Sequence, residues 1–391
     1  MIKKMEELDL RGRATFIRVD FNVPLSADKK VTDDTRIRAA LPTIQQARAM
    51  GARIILASHL GRPKGGPDPE FSLEPVGALL AELLGADVVF ADDCVGDGVK
   101  KNIRDLREGD VLLLENLRFH KGEEKNDEEF ARALADGVDA YVNDAFGAAH
   151  RAHASTAGMV KHVRDKAAGL LMMKEVEILT GIMEKPARPF VALLGGAKVS
   201  DKVAVLDNLV KKADALLVGG AMAYTLLAAS GKKTGNSRVE HDKIGVAEDI
   251  VRAAASRGVP LLLPVDHVVA PRFDEGAPAT VVSEIPGDQM GLDIGPKTIE
   301  LFKKTLAEAK TIFWNGPMGV FEWPAFAAGT MAMAQAVAGA KAVTVVGGGD
   351  SVAALNQSGL EKKITHVSTG GGASLELIEG KVLPGVKALE E

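Results

Sequence analysis

Short apolar runs alternate with segments of helical spacing along most of the chain. In its first part the apolar runs predict strands at residues 14–19, 53–57, 87–90, 111–114 and 140–142. Between them, apolar residues recur three and four positions apart, which predicts helices at residues 35–50, 73–84 and 126–134. Strands that are apolar on both faces and alternate with helices are typical of parallel sheets covered on both sides.

The second part of the chain repeats this pattern. Its apolar runs predict strands at residues 190–194, 215–218, 261–263, 311–314 and 342–346. Its segments of helical spacing lie at residues 201–212, 243–256, 297–309 and 351–357. The predicted class is therefore α/β. At roughly 100–200 residues per domain, a chain of 391 residues favours two domains.

The predicted boundary between the two parts is one long amphipathic helix. It covers about residues 166–183, and Pro186 and Pro189 end it before the next strand. A helix between two α/β lobes suits a mechanical linker. The last residues, 381–391, leave two outcomes open: the tail frays, or it crosses back onto the first lobe.

Composition narrows the class of protein. Hydrophobic residues make up 46% and charged residues 26% of the chain, a globular balance that excludes overall disorder. The net charge of −5 argues against a general nucleic-acid binder. Residues 1–10 lack the apolar core of a secretory signal, and the longest uncharged stretch, 323–340, is too weakly apolar to span a membrane. We therefore expect a cytoplasmic protein without a nucleic-acid or membrane partner.

The chain has a single cysteine, Cys94. One cysteine excludes an internal disulfide framework and a metal site built from several cysteines. The neighbours Asp92 and Asp93 disfavour a thiolate, so we expect Cys94 to be structural. No histidine pair has the spacing of a zinc site, and no nucleophile triad stands out.

At four places in the second part a strand runs into glycines that precede a helical segment. These are Gly195-Gly196, Gly219-Gly220, Gly347-Gly348-Gly349 and Gly370-Gly371-Gly372. In open α/β sheets ligands bind beyond the carboxyl ends of the strands, and a helix N-terminus attracts an anion. Four such junctions favour a phosphate or nucleotide site. The alternative is that they are only tight strand-to-helix turns.

Two familiar nucleotide motifs are missing from the sequence. No G-x-G-x-x-G follows a strand, which disfavours a dehydrogenase. Residues 291–298 look briefly like a P-loop, but Pro296 stands where glycine is needed and lacks the N–H that would bind a phosphate. A nucleotide site in this chain must be built in another way.

Four charged residues near the glycines are candidates for nucleotide chemistry. Lys198 and Lys202 suit transferred and non-transferred phosphates, or they form a solvated helix face. Asp350 suits Mg²⁺ held mainly by phosphates and water, or a helix N-cap, and the two roles are compatible. Glu322 suits ribose hydroxyls, or it is a plain surface carboxylate.

The strand ends of the first part carry polar and basic residues instead of glycine pairs. Besides Asp20 and Asn22, the strand ends and one helix start carry Arg36, His59, Arg62, Arg118, His120, His150 and Arg151. Because the carboxyl ends of parallel strands share one sheet edge, so many guanidinium groups there are costly unless they meet anions.

Each of these residues also has a simpler interpretation. One arginine alone is more simply a surface ion pair, as for Arg38 or Arg53, and His120 and His150 suit capping or packing. For the set of four arginines with His59, an anion site is favoured. Asp20 and Asn22 then suit a hydroxyl of the same small ligand.

Six segments together resemble the phosphoglycerate kinase family, in family order over essentially the whole chain. They are RVDFNVP at 18–24, SHLGRP at 58–63, ENLRF at 115–119, LGGAKVSDK at 194–202, WNGPMGVFE at 314–322 and GGGD at 347–350. The resemblance implies two doubly wound, Rossmann-like lobes joined by a hinge helix, usually in a monomer. It implies a 3-phosphoglycerate-binding domain of residues 1–168 plus 381–391 and a nucleotide-binding domain of residues 169–380.

The resemblance also implies site residues. The substrate 3-phosphoglycerate or 1,3-bisphosphoglycerate would be bound by Asp20, Phe21, Asn22, Arg36, His59, Leu60, Gly61, Arg62, Arg118 and Arg151. ADP or ATP with Mg²⁺ would be bound by Lys202, Gly219, Gly220, Asn315, Pro317, Glu322, Gly347, Gly348, Gly349, Asp350 and Ser351, with Asp350 on the metal. Arg36 and Lys198 are the implied catalytic residues. Ser351 stands where many members have threonine, and Ala221 where a third glycine is frequent.

The implied reaction is the reversible attack of ADP on the acyl phosphate of 1,3-bisphosphoglycerate. The reverse nucleophile is a carboxylate, so the reaction needs in-line positioning and charge neutralisation instead of a general base. With the reactants on separate lobes, the lobes must close for transfer. The rival hypothesis is a non-catalytic two-lobed binder of anions or nucleotides, which does not require Lys198.

Overall fold

The computed structural model describes residues 2–390. The chain forms two compact units, a first that runs to Glu177 and takes back the chain from Val382 onward, and a second, Ile178–Lys381. No helix in the described residues is both long enough and apolar enough to cross a membrane.

The first unit is built on a six-stranded parallel sheet. Its strands are β1 Ala14–Arg18, β2 Arg53–Ala57, β3 Val88–Phe90, β4 Val111–Leu113, β5 Ala140–Asn143 and β6 Asp165–Ala168, in the order β3-β4-β2-β1-β5-β6. Its helices are α1 Thr35–Ala49, α2 Glu74–Leu84, α3 Asp97–Asp105, α4 Lys121–Glu124 and α5 Glu128–Ala135. Every residue of the central strand β1 is buried, as the apolar run predicts.

Strand pairing shortens the predicted linking helix. Residues 166–168, predicted as helical, belong to β6, where Lys166 pairs with Tyr141 of β5. The helix α6, Leu170–Glu184, begins two residues later. Asp144, which follows β5, accepts hydrogen bonds from the backbone N–H groups of Leu171 (2.9 Å) and Met172 (3.2 Å) at the helix start. A long-range sheet partner therefore outweighs the local helical pattern here.

The C-terminal tail packs against the first unit. Gly385, in the short helix Pro384–Lys387, donates its N–H to the carbonyl of Ala149 (2.8 Å) and accepts from the amide of Asn143 (3.3 Å). Of the two outcomes that the sequence leaves open, the tail takes the second.

The second unit contains strands β7 Phe190–Leu194, β8 Ala215–Val218, β9 Leu261–Leu262, β10 His267–Ala270, β11 Thr280–Val282, β12 Met290–Ile294, β13 Thr311–Asn315, β14 Val343–Gly347 and β15 His366–Val367. Six of them form a parallel sheet in the order β15-β14-β13-β7-β8-β9. Its helices are α7 Val203–Lys212, α8 Met222–Ala229, α9 Ile244–Arg257, α10 Pro296–Glu308, α11 Ala328–Gly339, α12 Gly349–Ser358 and α13 Gly372–Ile378. The two parallel sheets with their helices confirm the predicted α/β class.

The second unit also holds a small antiparallel sheet that the sequence pattern does not predict. Strands β10, β11 and β12 pair in the order β11-β10-β12, with no helix between them. Thr280 and Val281 of β11 are exposed, so this strand lacks the apolar run that marks a buried one. Every strand that the sequence does predict is present, with ends that differ by at most one residue.

Candidate active site

In the first unit, the candidate substrate residues lie beyond the carboxyl ends of β1, β2 and β4. Asp20, almost fully buried after β1, pairs with Arg36 in the first turn of α1 through a contact of 2.8 Å between Oδ2 and Nη1. The Arg36 side chain is 37% exposed, so the ion pair fixes a guanidinium that still faces solvent. Two candidate residues far apart in the sequence are thus joined.

The loops after β1 and β2 are tied together by hydrogen bonds. The Phe21 N–H donates to Ser58 Oγ (2.8 Å), and the Gly61 N–H donates to Asn22 Oδ1 (2.8 Å). Gly61 has a φ of +59°, and a Cβ on it would lie 2.3 Å from the Phe71 ring. Glycine is therefore required at this turn. The Phe21 side chain is fully buried, which leaves only its backbone for a ligand.

Asn116 supports the candidate site through hydrogen bonds, a role that the sequence interpretation missed. Asn116 follows β4 and is fully buried. Its side-chain oxygen accepts hydrogen bonds from the N–H groups of Leu60 (3.1 Å) and Arg118 (3.0 Å). Its amide donates to the carbonyls of Leu60 (2.7 Å) and Phe71 (2.9 Å). Four bonds from one side chain place the His59–Gly61 loop beside Arg118. Its location in the ENLRF segment was the available signal.

Arg118 shows how positive this edge of the sheet is. Its guanidinium is buried, donates to the Gly61 carbonyl (2.7 Å) and lies 3.2 Å from Glu124. Burial lowers the pKa of Arg118, and the charges of Arg151 and Arg18 lower it further, against the opposing pull of Glu124. Arg62 and Arg151 are exposed and have no ion pair within the described residues. Basic side chains at this edge are therefore in excess over the acidic side chains that pair with them.

In the second unit, four of the eleven candidate nucleotide residues line a cavity of about 450 Å³. This volume lies in the range of small-molecule sites, ~300–1,000 Å³. Gly196, Gly220, Pro317, Glu322 and Asp350 all contribute to its wall, together with the apolar side chains of Tyr224, Phe273, Met290, Leu292 and Val320. A polar wall combined with an apolar one suits a molecule with an anionic end and a flat ring.

Two of the four glycine turns serve close packing of backbone on backbone. Gly195 and Gly196 donate their N–H groups to the carbonyls of Asn315 (2.9 Å) and Pro317 (3.0 Å), and Gly220 donates to that of Met318 (2.9 Å). A Cβ on Gly195 would lie 2.0 Å from the Pro317 oxygen. These N–H groups are occupied, so the turns shape the cavity wall without offering a phosphate cradle. For these two turns the alternative of tight strand-to-helix turns is the better description.

The third glycine turn is open in a way that the first two are not. Gly348 has a φ of +92°, and a Cβ on Gly349 would meet nothing within 4 Å. Helix α12 begins at Gly349, and the N–H groups of its first turn have no acceptor inside the helix. Of the glycine turns that line or border the cavity, this helix start is the one suited to an anion.

Buried Asn315 joins the end of β13 to Lys202 and to the third glycine turn. Lys202 Nζ donates to the Asn315 backbone oxygen (3.0 Å) and to its side-chain oxygen. The Asn315 amide donates to the Gly347 carbonyl (2.7 Å), and Ser351 Oγ accepts from the Gly316 N–H (2.5 Å). Burial lowers the pKa of Lys202 to about 8, although Asp350 and Asp201 act to raise it. Because burial disfavours the ammonium form of Lys202, an anionic ligand beside Nζ would stabilise that charged form.

Asp350 is the candidate metal ligand. It lies exposed in the first turn of α12 and contributes to the cavity wall. Its side chain caps no N–H of the helix. One exposed carboxylate beside a helix start suited to an anion matches the preference of Mg²⁺ for few protein ligands and several phosphate or water oxygens.

Lys198 lies on an exposed loop whose far end is fixed by a residue that the sequence interpretation missed. Glu240 accepts from Ser200 Oγ (2.5 Å) and from the Ser200 N–H (3.1 Å). Its own N–H donates to Thr225 Oγ1 (3.1 Å), which ties the segment to α8. The short helical turn Ser200–Lys202 is therefore anchored, while the Lys198 side chain is exposed and has no ion pair within the described residues.

Cys94 is structural, as its acidic neighbours predict. The buried thiol donates to the Glu115 carbonyl (2.9 Å), and burial raises its pKa well above the usual value. One possible metal-ligand atom from each of Cys94, Asp93 and His120 lies within 4.8 Å of the other two. The His120 ring, however, donates a hydrogen bond to Asp93 (2.6 Å) and stacks on Phe130. Packing and pairing therefore account for His120.

Comparison with known proteins covers both units. The family profile described as phosphoglycerate kinase matches residues 5–381. The phosphoglycerate kinase of Anaeromyxobacter dehalogenans (strain 2CP-C) is 61% identical over 394 residues, with 100% of both chains covered. The cytosolic enzyme of Triticum aestivum is 54% identical over 98% of this chain and 97% of that protein.

Solved structures agree with the sequence relatives. The structure of phosphoglycerate kinase from Coxiella burnetii has a TM-score of 0.92 and 43% identity, and it covers 100% of this chain and 99% of its own. That from Pyrococcus horikoshii OT3 has a TM-score of 0.86 and 33% identity, with 100% and 98% coverage. The chain therefore belongs to the phosphoglycerate kinase family, and the reversible transfer of a phosphoryl group between 1,3-bisphosphoglycerate and ADP in glycolysis is its reaction.

Proposed function

We propose that the positive sheet edge of the first unit binds 3-phosphoglycerate and 1,3-bisphosphoglycerate. The observation that supports this most is the excess of cations there, with Arg62 and Arg151 exposed and unpaired within the described residues. Guanidinium groups bind phosphate and carboxylate oxygens bidentately, so a ligand with both anions gives each arginine a partner. Arg118 and His59 then complete the wall behind the ligand.

Asp20 and Asn22 contact the hydroxyl of the same ligand in this proposal. Asp20 Oδ1 accepts from the Asn22 N–H (3.3 Å) and its Oδ2 holds Arg36, while Asn22 Oδ1 accepts from the Gly61 N–H (2.8 Å). Both side chains are therefore fixed before the ligand arrives. A hydroxyl can donate to one and accept from the other. Leu60 and Gly61 contribute the backbone turn that brings His59 to the site.

The cavity of the second unit binds ADP or ATP in the same proposal. Lys202 and the open start of α12, Gly347 to Ser351, face the phosphates, and Glu322 faces the ribose. The packed turns at Gly219, Gly220 and Pro317 form the wall against which the nucleotide lies. Asp350 would hold Mg²⁺, which neutralises phosphate charge and orients the phosphate oxygens when it is bound.

Phosphoryl transfer then proceeds without a general base. The carboxylate of 3-phosphoglycerate is ionised near neutral pH and attacks directly, so the protein supplies alignment and charge. Arg36 and Lys198 neutralise the three equatorial oxygens of the phosphoryl group. Closure of the two units about α6 brings the reactants in line and excludes water from the acyl phosphate. The monomeric state and the cytoplasmic location stay predictions.

Calorimetric binding measurements test the two sites separately. Arg62→Met weakens 3-phosphoglycerate binding by roughly tenfold or more, because one charge-assisted contact is lost, and leaves MgADP binding unchanged. Lys202→Met does the reverse. Arg132→Met, which removes an exposed arginine paired with Glu128, changes neither affinity. If Arg62→Met and Arg132→Met behave alike, the anion site does not lie at this edge.

A further inference from the structure

Behind the proposed substrate site, four buried polar side chains form a continuous chain. Glu123 accepts from Ser155 Oγ (2.6 Å) and from the Ser155 N–H (3.0 Å). Arg18 Nε donates to the same Ser155 Oγ (2.8 Å), and Arg18 Nη2 lies 3.1 Å from His59 Nδ1. Glu123, Ser155 and Arg18 are fully buried, and His59 is 8% exposed.

The arginine decides the direction of every hydrogen bond in this chain. A guanidinium group stays protonated and has donors only. Ser155 Oγ therefore accepts a hydrogen bond from Arg18 and donates its own hydroxyl hydrogen bond to Glu123. For the same reason, His59 Nδ1 must accept from Arg18. A ring nitrogen that accepts carries no hydrogen, so the neutral His59 ring carries its hydrogen on Nε2.

The groups that surround His59 oppose its protonation from every side. Burial has the largest effect, and Arg18 from β1, Arg118 from the loop after β4, Arg36 from α1 and His153 add to it. Together they hold the pKa of His59 well below the usual value. The acid of the chain, Glu123, is engaged by Ser155 and is joined to His59 only through Arg18. The ring is therefore neutral at physiological pH.

We propose that Arg18 is a positioning residue that locks His59 in the Nε2–H tautomer, so that the ring presents a donor to an oxygen of bound phosphoglycerate. Glu123, through Ser155, holds the guanidinium in place. A ring free to exchange tautomers would present a lone pair part of the time and repel the anion. The benefit to the ligand rests on the proposed substrate site. The tautomer itself does not.

Nitrogen NMR of ¹⁵N-histidine-labelled protein reads the tautomer directly, independently of activity. The wild-type protein is expected to show His59 with a protonated Nε2 and an unprotonated Nδ1 near neutral pH. His162, whose Nε2 lies 3.0 Å from Glu128 Oε1, lies outside this polar chain and serves as the internal control for ligand-induced shifts. A wild-type His59 with its hydrogen on Nδ1, or a mixture of tautomers, overturns the proposal.

Two substitutions test the role of Arg18. In Arg18→Met, His59 is expected to populate both tautomers and to titrate nearer its usual pKa, and KM for 3-phosphoglycerate to rise roughly tenfold with a new dependence on pH. Arg18→Lys keeps a donor and a charge, so it restores the tautomer. If Arg18→Met does not fold, Ser155→Ala replaces it, because it detaches the guanidinium from Glu123 and so loosens the lock. An unchanged His59 signal in the folded variant contradicts the proposal.

Adding 3-phosphoglycerate separates the lock from the site. The His59 Nε2 signal of the wild-type protein is expected to shift on saturation with the ligand, while the His162 signal stays. If the His59 tautomer is fixed but its signal does not shift with the ligand, the role of Arg18 is supported and His59 does not belong to the substrate site. If the His59 signal shifts with the ligand but the ring shows both tautomers, His59 belongs to the substrate site and the role of Arg18 is contradicted.

Discussion

The lowered pKa of Lys202 predicts that nucleotide affinity falls as the pH rises. In the ligand-free protein this pKa is about 8, because burial disfavours the ammonium form. A phosphate against Nζ favours the charged form and raises the pKa, so above pH 8 nucleotide binding must take up a proton. Lys202 is about nine-tenths protonated at pH 7 and about one-tenth protonated at pH 9. The Kd for MgADP is therefore expected to rise about tenfold across this range.

Isothermal titration calorimetry at three pH values measures this dependence. Buffers of different ionisation enthalpy should also show proton uptake that approaches one per nucleotide above pH 8. In Lys202→Arg the cation no longer titrates, so the Kd is expected to stay flat. Lys198→Met is the matched control, because Lys198 is exposed on the preceding loop, and it keeps the pH dependence of the wild-type protein.

A wild-type Kd that stays flat between pH 7 and pH 9 would refute this reasoning. The same slope in Lys202→Arg as in the wild-type protein would show that another group titrates. Either outcome would remove Lys202 from contact with the phosphates and leave its bonds to Asn315 as a purely structural arrangement.

Three further substitutions have expected outcomes. Arg36→Met is expected to lower kcat by ~10³–10⁵-fold in a coupled assay, whereas Arg38→Met on the same helix leaves it nearly unchanged; equal losses would remove Arg36 from catalysis. Gly61→Ala is expected to cost about 1–3 kcal/mol in urea unfolding, because it combines a positive φ with a ring 2.3 Å away, and Gly66→Ala, where a Cβ meets nothing, to cost little. Lys198→Met is expected to lower kcat without lowering Tm, and Lys198→Arg to restore only part of the rate, since a planar fork replaces a point charge; full rescue would contradict that role.

The buried parallel strands were the most predictable part of the fold. Strands such as Phe190–Leu194 are buried along their whole length, so the apolar run alone marks them. The antiparallel strand Thr280–Val282 is largely exposed and gives no such signal. The start of the linking helix was placed too early because the pairing of Lys166 with Tyr141 is a long-range contact that a local pattern does not contain.

The residues of the candidate site also differ in how well the sequence predicts them. Residue type and position at strand ends indicated Asp20, Arg36 and Arg118, because the edge of a parallel sheet brings such residues together. The supporting residues Asn116 and Glu240 were missed, since their roles depend on loop contacts between segments distant in the sequence. Arg18 was counted within an apolar run, although an arginine in a fully buried strand already requires partners.

The glycine turns show where a motif misleads. Four similar junctions suggested one shared role, yet Gly195-Gly196 and Gly219-Gly220 donate their N–H groups to backbone carbonyls of neighbouring segments. Gly349, with open space beside it, is different. Sequence cannot separate a glycine needed for packing from one needed for a ligand, because both require the same missing side chain.

Hydrogen–deuterium exchange with each ligand alone tests most directly the claim that the two units bind different substrates. We expect 3-phosphoglycerate to slow exchange in the first unit only, at residues 20–22, 36, 58–62, 116–120 and 151. We expect MgADP to slow it in the second unit only, at residues 198–202, 219–220, 315–322 and 347–351. Protection of one and the same unit by both ligands would contradict the account.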